Sequence, residues 1–218
     1  MIVLALDTAG SGCFAAVYDH GSGSVCSAGA VIGKGHAEQL MSFVDEALAR
    51  AGTKLSDIDR IAVTVGPGSF TGIRVGVAAA RGLALALDRP AVGISTLQVL
   101  AQSAAGISPG RPILAVMDGK RGDLYCQSFA ATGSATMEPA VLTLETARET
   151  FAGFSGVVTG SGAGLLKGSD AAVVGDRFDI TVVAKLGALA DPSLGKPKPL
   201  YLRGADAKPQ TGYALARA

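Results

Sequence analysis

Val63-Thr-Val-Gly66-Pro67-Gly68-Ser69-Phe70-Thr71-Gly72-Ile73-Arg74-Val75-Gly76 joins a β-branched run to a long apolar segment through a Gly-Pro-Gly turn. The stretch reads as strand, loop and helix. Pro67 sets its own φ and lacks an amide donor, the flanking glycines reach backbone angles closed to other residues, and Ser69 or Thr71 can cap the helix. Free amides at such a helix start suit either a phosphate or a sharp change of chain direction.

Working outward, Ile2 to Asp7 reads as a buried strand, Gly10 to Gly12 as a hairpin turn, and Cys13–Asp19 and Ser24–Val31 as two further strands. From His36 the period changes. Ala37, Leu40, Met41, Val44, Ala47, Leu48 and Ala51 recur at helical spacing, and Gly52 closes the helix. Arg60 to Val65 is the next strand and Thr71 to Asp88 the next helix. Ala91–Ile94 follows as a short strand, and Ser95 caps a helix running to Ala105. Downstream, Leu144–Phe151 and Val182–Ala190 read as helices and Val157–Thr159 as a strand, with Gly-rich connections such as Gly160 to Gly164. The tail from Lys196 reads as extended and superficial.

The chain has 218 residues, 49% of them hydrophobic, which is enough for one large core or two modest ones. Nineteen basic residues against eighteen acidic ones leave no global field to recruit nucleic acid or an anionic membrane. That balance disfavours a stand-alone tRNA-binding module. The first apolar run meets Asp7 and lacks a basic start, unlike a signal peptide. No stretch reads as apolar enough to span a bilayer, so the expected location is the cytoplasm. Cys13, Cys26 and Cys126 lack metal-ligand spacing and read as reduced, buried thiols.

The second half repeats the opening. Sliding Ile2-Val-Leu-Ala-Leu-Asp7 onto Ile113-Leu-Ala-Val-Met-Asp118 aligns two buried strands, each ending in an acid and followed by a turn and another strand. Such a duplication of mixed β/α units is the layout of the α/β actin-like ATPase fold. The lobes are expected at 1–106 and 107–218, the second degenerate. Asp7, Gly10, Gly12 and Asp118 are then candidates to hold a magnesium nucleotide (ATP or ADP) between the lobes. The alternative is that the two strand-end acids simply cap turns.

Several motifs together carry a more specific resemblance: Asp7-Thr8, His36-Ala-Glu-Gln-Leu40, Gly66-Pro-Gly-Ser-Phe-Thr-Gly-Ile-Arg74, Gly93-Ile-Ser-Thr-Leu97, Met117-Asp-Gly-Lys-Arg-Gly-Asp-Leu-Tyr125 and Pro199-Leu-Tyr-Leu-Arg203. In order along nearly the whole chain, they resemble the TsaB (YeaZ) family. Those proteins are the dimerisation subunits of the bacterial machinery that makes N6-threonylcarbamoyladenosine in tRNA. The resemblance implies TsaD and TsaE as protein partners, a homodimer when TsaD is absent, contact with tRNA only through the complex, and no membrane association. TsaD, the catalytic paralogue, carries an H-x-x-x-H metal pair where this chain has Thr96 and Leu100, and leucine cannot ligate a metal. The resemblance therefore implies a non-catalytic scaffold with no metal and no required cofactor. The competing reading is an enzyme acting alone, either a nucleotide hydrolase or a glycoprotease-like peptidase; the serine of Gly66-Pro-Gly-Ser-Phe-Thr-Gly is displaced from a nucleophile elbow.

The Thr71–Asp88 helix is the main candidate for function. Gly72, Gly76 and Gly82 each weaken a helix interior by about 1 kcal/mol, which is tolerated where something packs close. The only polar stripe is Arg74, Arg81 and Asp88, so the helix is apolar on more than one face. It is either sandwiched inside its own chain or part of a subunit interface, where it and the His36–Ala51 helix form a four-helix packing with a partner. The candidate interface residues are His36, Leu40, Met41, Val44, Gly72, Arg74, Val75, Ala78 and Arg81. His36 reads as either a helix cap or a partner contact, and His20 as solvated.

Overall fold

The computed structural model describes residues 1–168 and 177–203. Nine strands and six helices of the described residues form two sheets with helices outside and between them. The first sheet contains β1 (Ile2–Asp7), β2 (Gly12–Asp19), β3 (Val25–Val31), β4 (Arg60–Gly66) and β5 (Ala91–Ser95), in the order β3-β2-β1-β4-β5. The second contains β6 (Ile113–Asp118), β7 (Asp123–Phe129), β8 (Ala140–Thr143) and β9 (Val157–Thr159), in the order β8-β7-β6-β9. In each, the opening strand pairs antiparallel with the next and parallel with a later one: β1 with β2 and β4, β6 with β7 and β9. This topology is the duplicated, mixed α/β actin-like ATPase-type fold, and among the described residues the second sheet shows no counterpart of β5.

The six helices are α1 (His36–Ala51), α2 (Phe70–Leu87), α3 (Thr96–Ile107), α4 (Leu144–Thr150), α5 (Ala163–Lys167) and α6 (Ile180–Leu189). α1 and α2 cover one face of the first sheet, on the side of Val63, while α6 covers the other, on the side of Val3 and Ala62. α3 packs on β6 and against α6, so these two helices lie between the sheets. Residues 113, 115 and 117 of β6 face the resulting central core; Leu114 and Val116 turn the other way, into a small second core under α4 and α5. This period-2 partition is why every residue from Ile113 to Met117 is buried.

Four local features differ from the sequence reading. β8 is a fourth strand of the second sheet that was not anticipated, and the Gly160–Gly164 connection opens a helix, α5, because Gly162 is its N-cap. The tail is extended but does not merely lie on the surface. Pro197 is buried, Leu202 packs on the central core, and the Leu200 amide donates to the Val65 carbonyl at 2.8 Å. The part of the tail beyond residue 203 lies outside the described residues. Finally, α2 is by length and composition apolar enough to cross a membrane, against the expectation that no stretch is. Its buried face of Gly72, Ile73, Gly76, Val77 and Ala80 packs on the sheet of this same chain.

α6 is held to the first sheet by two contacts. A Cβ at Gly187 would overlap the Ala62 side chain, so glycine sets the close approach. Arg60 then donates through Nη1 to the carbonyls of Gly187, Ala188 and Ala190 at 3.0, 3.0 and 2.8 Å, placing a cation at the helix C-terminus.

Candidate functional site

The Gly-Pro-Gly turn brings the start of α2 onto the end of β1. Gly66 and Pro67 are joined by a cis peptide, and the Ser69 amide donates to the Ala9 carbonyl at 2.7 Å. Ser69 caps α2, its Oγ accepting from the Gly72 amide at 3.2 Å. Thr8 is fully buried and donates from Oγ1 to the Gly72 carbonyl at 2.7 Å. A Cβ at Gly72 would overlap the Thr8 carbonyl oxygen, and one at Gly76 would lie 2.5 Å from Thr8 Oγ1. These glycines admit the strand end of their own chain. They do not serve the approach of a partner helix, as the sequence reading supposed. Only Gly82 faces open space.

Three candidate interface residues are committed to the interior: Leu40, Val44 and Gly72 are buried in this chain's own core. The others lie differently. Met41, Arg74, Ala78 and Arg81 are exposed, and Val75 is half-buried. Arg74, Ala78, Arg81 and Leu85 follow helical spacing, and Leu85 is 82% exposed. The excess apolar width of α2 is therefore a surface feature of its second half. His36 does not cap α1; Gly35 is the N-cap, without a side-chain bond, and the His36 Nε2 is buried without a hydrogen-bond partner. His20 is exposed beside Tyr18, whose hydroxyl lies 3.4 Å from its Nδ1. Cys13 and Cys126 are buried free thiols pushed up to about 11 by burial, Cys13 also by Asp7. Cys26 is only half-buried.

The two strand-end acids do matching local work. The Ala9 amide donates to Asp7 Oδ1 at 3.0 Å, and the Lys120 amide donates to Asp118 Oδ1 at 2.8 Å, so each carboxylate closes the turn after its strand. Their electrostatics diverge. Burial pushes Asp7 up to about 6, against the opposing pull of Thr64 (whose Oγ1 donates at 2.7 Å), the Ala9 amide and nearby His36. Burial also acts on Asp118, but the Lys120 hydrogen bonds and ammonium, 2.9 Å from Oδ2, outweigh it and hold the carboxyl below its usual range. Gly10 lies in the β1–β2 turn and Gly12 opens β2, where a Cβ would overlap the Phe14 ring.

Thr96 and Leu100, which the family resemblance sets against the paralogue's metal pair, are both packed. Thr96 is fully buried and donates to the Pro67 carbonyl at 2.6 Å and toward Met117 Sδ at 3.6 Å. Leu100 is buried against the Gly160 turn. Among the described residues no group of three or more His, Cys, Asp or Glu side chains could hold a metal ion.

The sequence reading missed a cluster at the foot of α2. The Arg74 guanidinium carbon stands 3.6 Å over the Phe70 ring, its Nε donates to the Tyr201 hydroxyl at 2.8 Å, and the Phe70 and Tyr201 rings are 5.7 Å apart. The only sequence signal was the i, i+4 spacing of Phe70 and Arg74; nothing local announces that Tyr201 joins them.

A family model described as TsaD, tRNA N6-adenosine threonylcarbamoyltransferase, matches residues 30–155. The tRNA threonylcarbamoyladenosine biosynthesis protein TsaB of Escherichia coli K12 is 36% identical over 129 residues, 59% of this chain and 55% of that protein. The chain thus spans about half the length of the curated relatives it matches. Two Pseudomonas aeruginosa structures are similar over nearly all of both chains. YeaZ has a TM-score of 0.74 at 27% identity, covering 92% of this chain and 99% of its own. A protein described as similar to peptidase YeaZ has a TM-score of 0.76 at 27% identity, covering 93% and 99%.

Proposed function

The chain belongs to the family described as TsaD, tRNA N6-adenosine threonylcarbamoyltransferase, and from that premise we propose that it serves threonylcarbamoyladenosine formation in tRNA as a non-catalytic subunit. In this reading it docks on the TsaD enzyme through the exposed faces of α1 and α2, acts together with TsaE, and contacts tRNA only through the assembly. The observation that carries the reading is the state of Thr96 and Leu100. Where the paralogue needs two imidazoles, this chain has a hydroxyl spent on the Pro67 carbonyl and a buried aliphatic group. The docking part is supported by the apolar surface of α2 around Ala78, Gly82 and Leu85, framed by Arg74 and Arg81.

The test is reconstitution. Threonylcarbamoyl transfer to tRNA by TsaD and TsaE is measured with and without this chain, and co-elution with TsaD is followed for wild type and Ala78→Asp. Stimulated transfer and co-elution, both lost in the variant, are expected. Transfer that ignores the added chain would overturn the subunit role, and normal co-elution of the variant would overturn the α2 interface. Nucleotide has no role in this reading, because both strand-end carboxylates close turns and Asp118 is also paired with Lys120. Saturable heat on titration with ATP and magnesium would reverse that part.

A further inference from the structure

The β6–β7 hairpin holds an unusual backbone. Lys120 and Arg121 have φ of 64° and 55°, followed by Gly122 at 87°. A non-glycine residue in the left-handed region is strained, and such strain persists only where surrounding contacts over-determine it. The corresponding β1–β2 turn has no positive φ at all. The restraint comes from two sides. Asp118 grips Lys120 through both its amide and its ammonium. Arg203, from the far end of the chain, donates to the Lys120 carbonyl at 3.4 Å and pairs with the Asp123 carboxylate.

Arg203 belongs to a strap whose other end is fixed on the first sheet. The Leu200 amide bonds the Val65 carbonyl, and Tyr201 joins Arg74 and Phe70 on the first turns of α2. Within a few residues the chain therefore touches α2 and the hairpin of the opposite half. We propose that the hairpin at 118–123 is a two-state element which this strap latches in its strained state, so that the hairpin's conformation is coupled to whatever engages Arg74 on α2. The physical basis is that one short strap carries both contacts, Arg203 on the turn and Tyr201 on α2. By linkage, an occupant of the Arg74 surface and the latch affect each other equally. That last step rests on the docking face proposed above; the latch itself does not.

The test uses the chain alone, so a failure to bind TsaD leaves its outcome untouched. Hydrogen exchange of the hairpin amides is followed, among them Gly119, which donates to the Asp123 carbonyl at 2.9 Å. Arg203→Ala is expected to speed exchange at 119–123 about tenfold while β1 and β4 keep their protection. Arg121→Gly, which relieves left-handed strain, is expected to restore protection in the Arg203→Ala background. Tyr201→Ala is expected to loosen the same amides by a smaller factor. Unchanged exchange in Arg203→Ala, or no rescue by Arg121→Gly, would overturn the latch. Loosening by Arg203→Ala but not by Tyr201→Ala would overturn its coupling to α2.

Discussion

The two halves of this chain begin alike and end differently. β1 and β6 are both buried, both end in an aspartate that closes a turn, and both pair with one antiparallel and one parallel neighbour. In the first half the helices that follow have 16 and 18 residues; their counterparts α4 and α5 have 7 and 5. The second sheet's outer core is correspondingly small, with Leu114, Val116, Leu124, Cys126 and Ala147 at its centre. What survives reduction is the strand pairing and the face toward the centre, because Ile113, Ala115 and Met117 are needed to bury α3. What shrinks is the outer layer, where two short helices cover a small core.

The sharpest contrast is at the helix starts. Gly72→Ala would drive a methyl into the Thr8 backbone and is expected to destabilise by ~3 kcal/mol or more in chemical denaturation. At α5 the contact is softer, since a Cβ at Gly162 meets the Val116 and Leu124 side chains at 2.7 and 3.0 Å and reaches backbone, the Met117 carbonyl carbon, only at 3.1 Å. Gly162→Ala is expected to cost ~1 kcal/mol. Equal costs at both sites would break the claim that the Gly72 contact is set by backbone and the Gly162 contact mainly by side chains.

The two acids give the next largest difference, with opposite signs. The folded-state pKa of Asp7 lies above its ordinary value of 3.8, so the buried carboxylate costs stability. That cost is fully present above pH ~6 and disappears as pH falls toward ~4. Asp7→Asn keeps an oxygen to accept from Thr64 and Ala9. It is expected to stabilise by about 2–3 kcal/mol at pH ~8 and by little at pH ~4. Asp118 is shifted down, so its contribution is present above the unfolded pKa and is lost as pH falls through the folded one. Asp118→Asn should therefore lower stability at neutral pH. Denaturation curves at the two pH values check both signs.

Two smaller effects sharpen the comparison further. Arg60→Ala removes three carbonyl contacts at the end of α6 and is expected to cost ~2 kcal/mol, showing how firmly a helix from the second half of the chain is tied to the first sheet. Gly82→Ala meets no neighbour and should gain ~1 kcal/mol by thermal melting. The opposite responses of Gly72 and Gly82 would show that α2 is packed by its own chain at one end and left open at the other.

Most of the fold was legible from residues 1–107 because their periods are long and clean. The repeat of Ile2–Asp7 at Ile113–Asp118 located the second sheet. α5 and β8 were not legible, since five and four residues fall below any reliable period and Gly160–Gly164 reads as a loop by composition. The site was legible in part: the width of α2's apolar surface followed from its residue types, but which of its glycines face inward did not. Leu40 and Val44 carry the same apolar signal as Met41, and only packing separates core from surface.

By itself, then, the amino-acid order determined the duplicated βα plan, the Gly-Pro-Gly junction that launches α2, and the presence of Thr96 and Leu100, neither of them an imidazole, along α3. These are properties of local period and residue chemistry. Tertiary structure alone decided that Gly72 and Gly76 are filled by Thr8, that Asp118 is paired with Lys120 while Asp7 is buried against Thr64, and that Tyr201 and Arg203 bind two halves of the molecule. Each of those depends on contacts between residues far apart in sequence, and burial sets their energies.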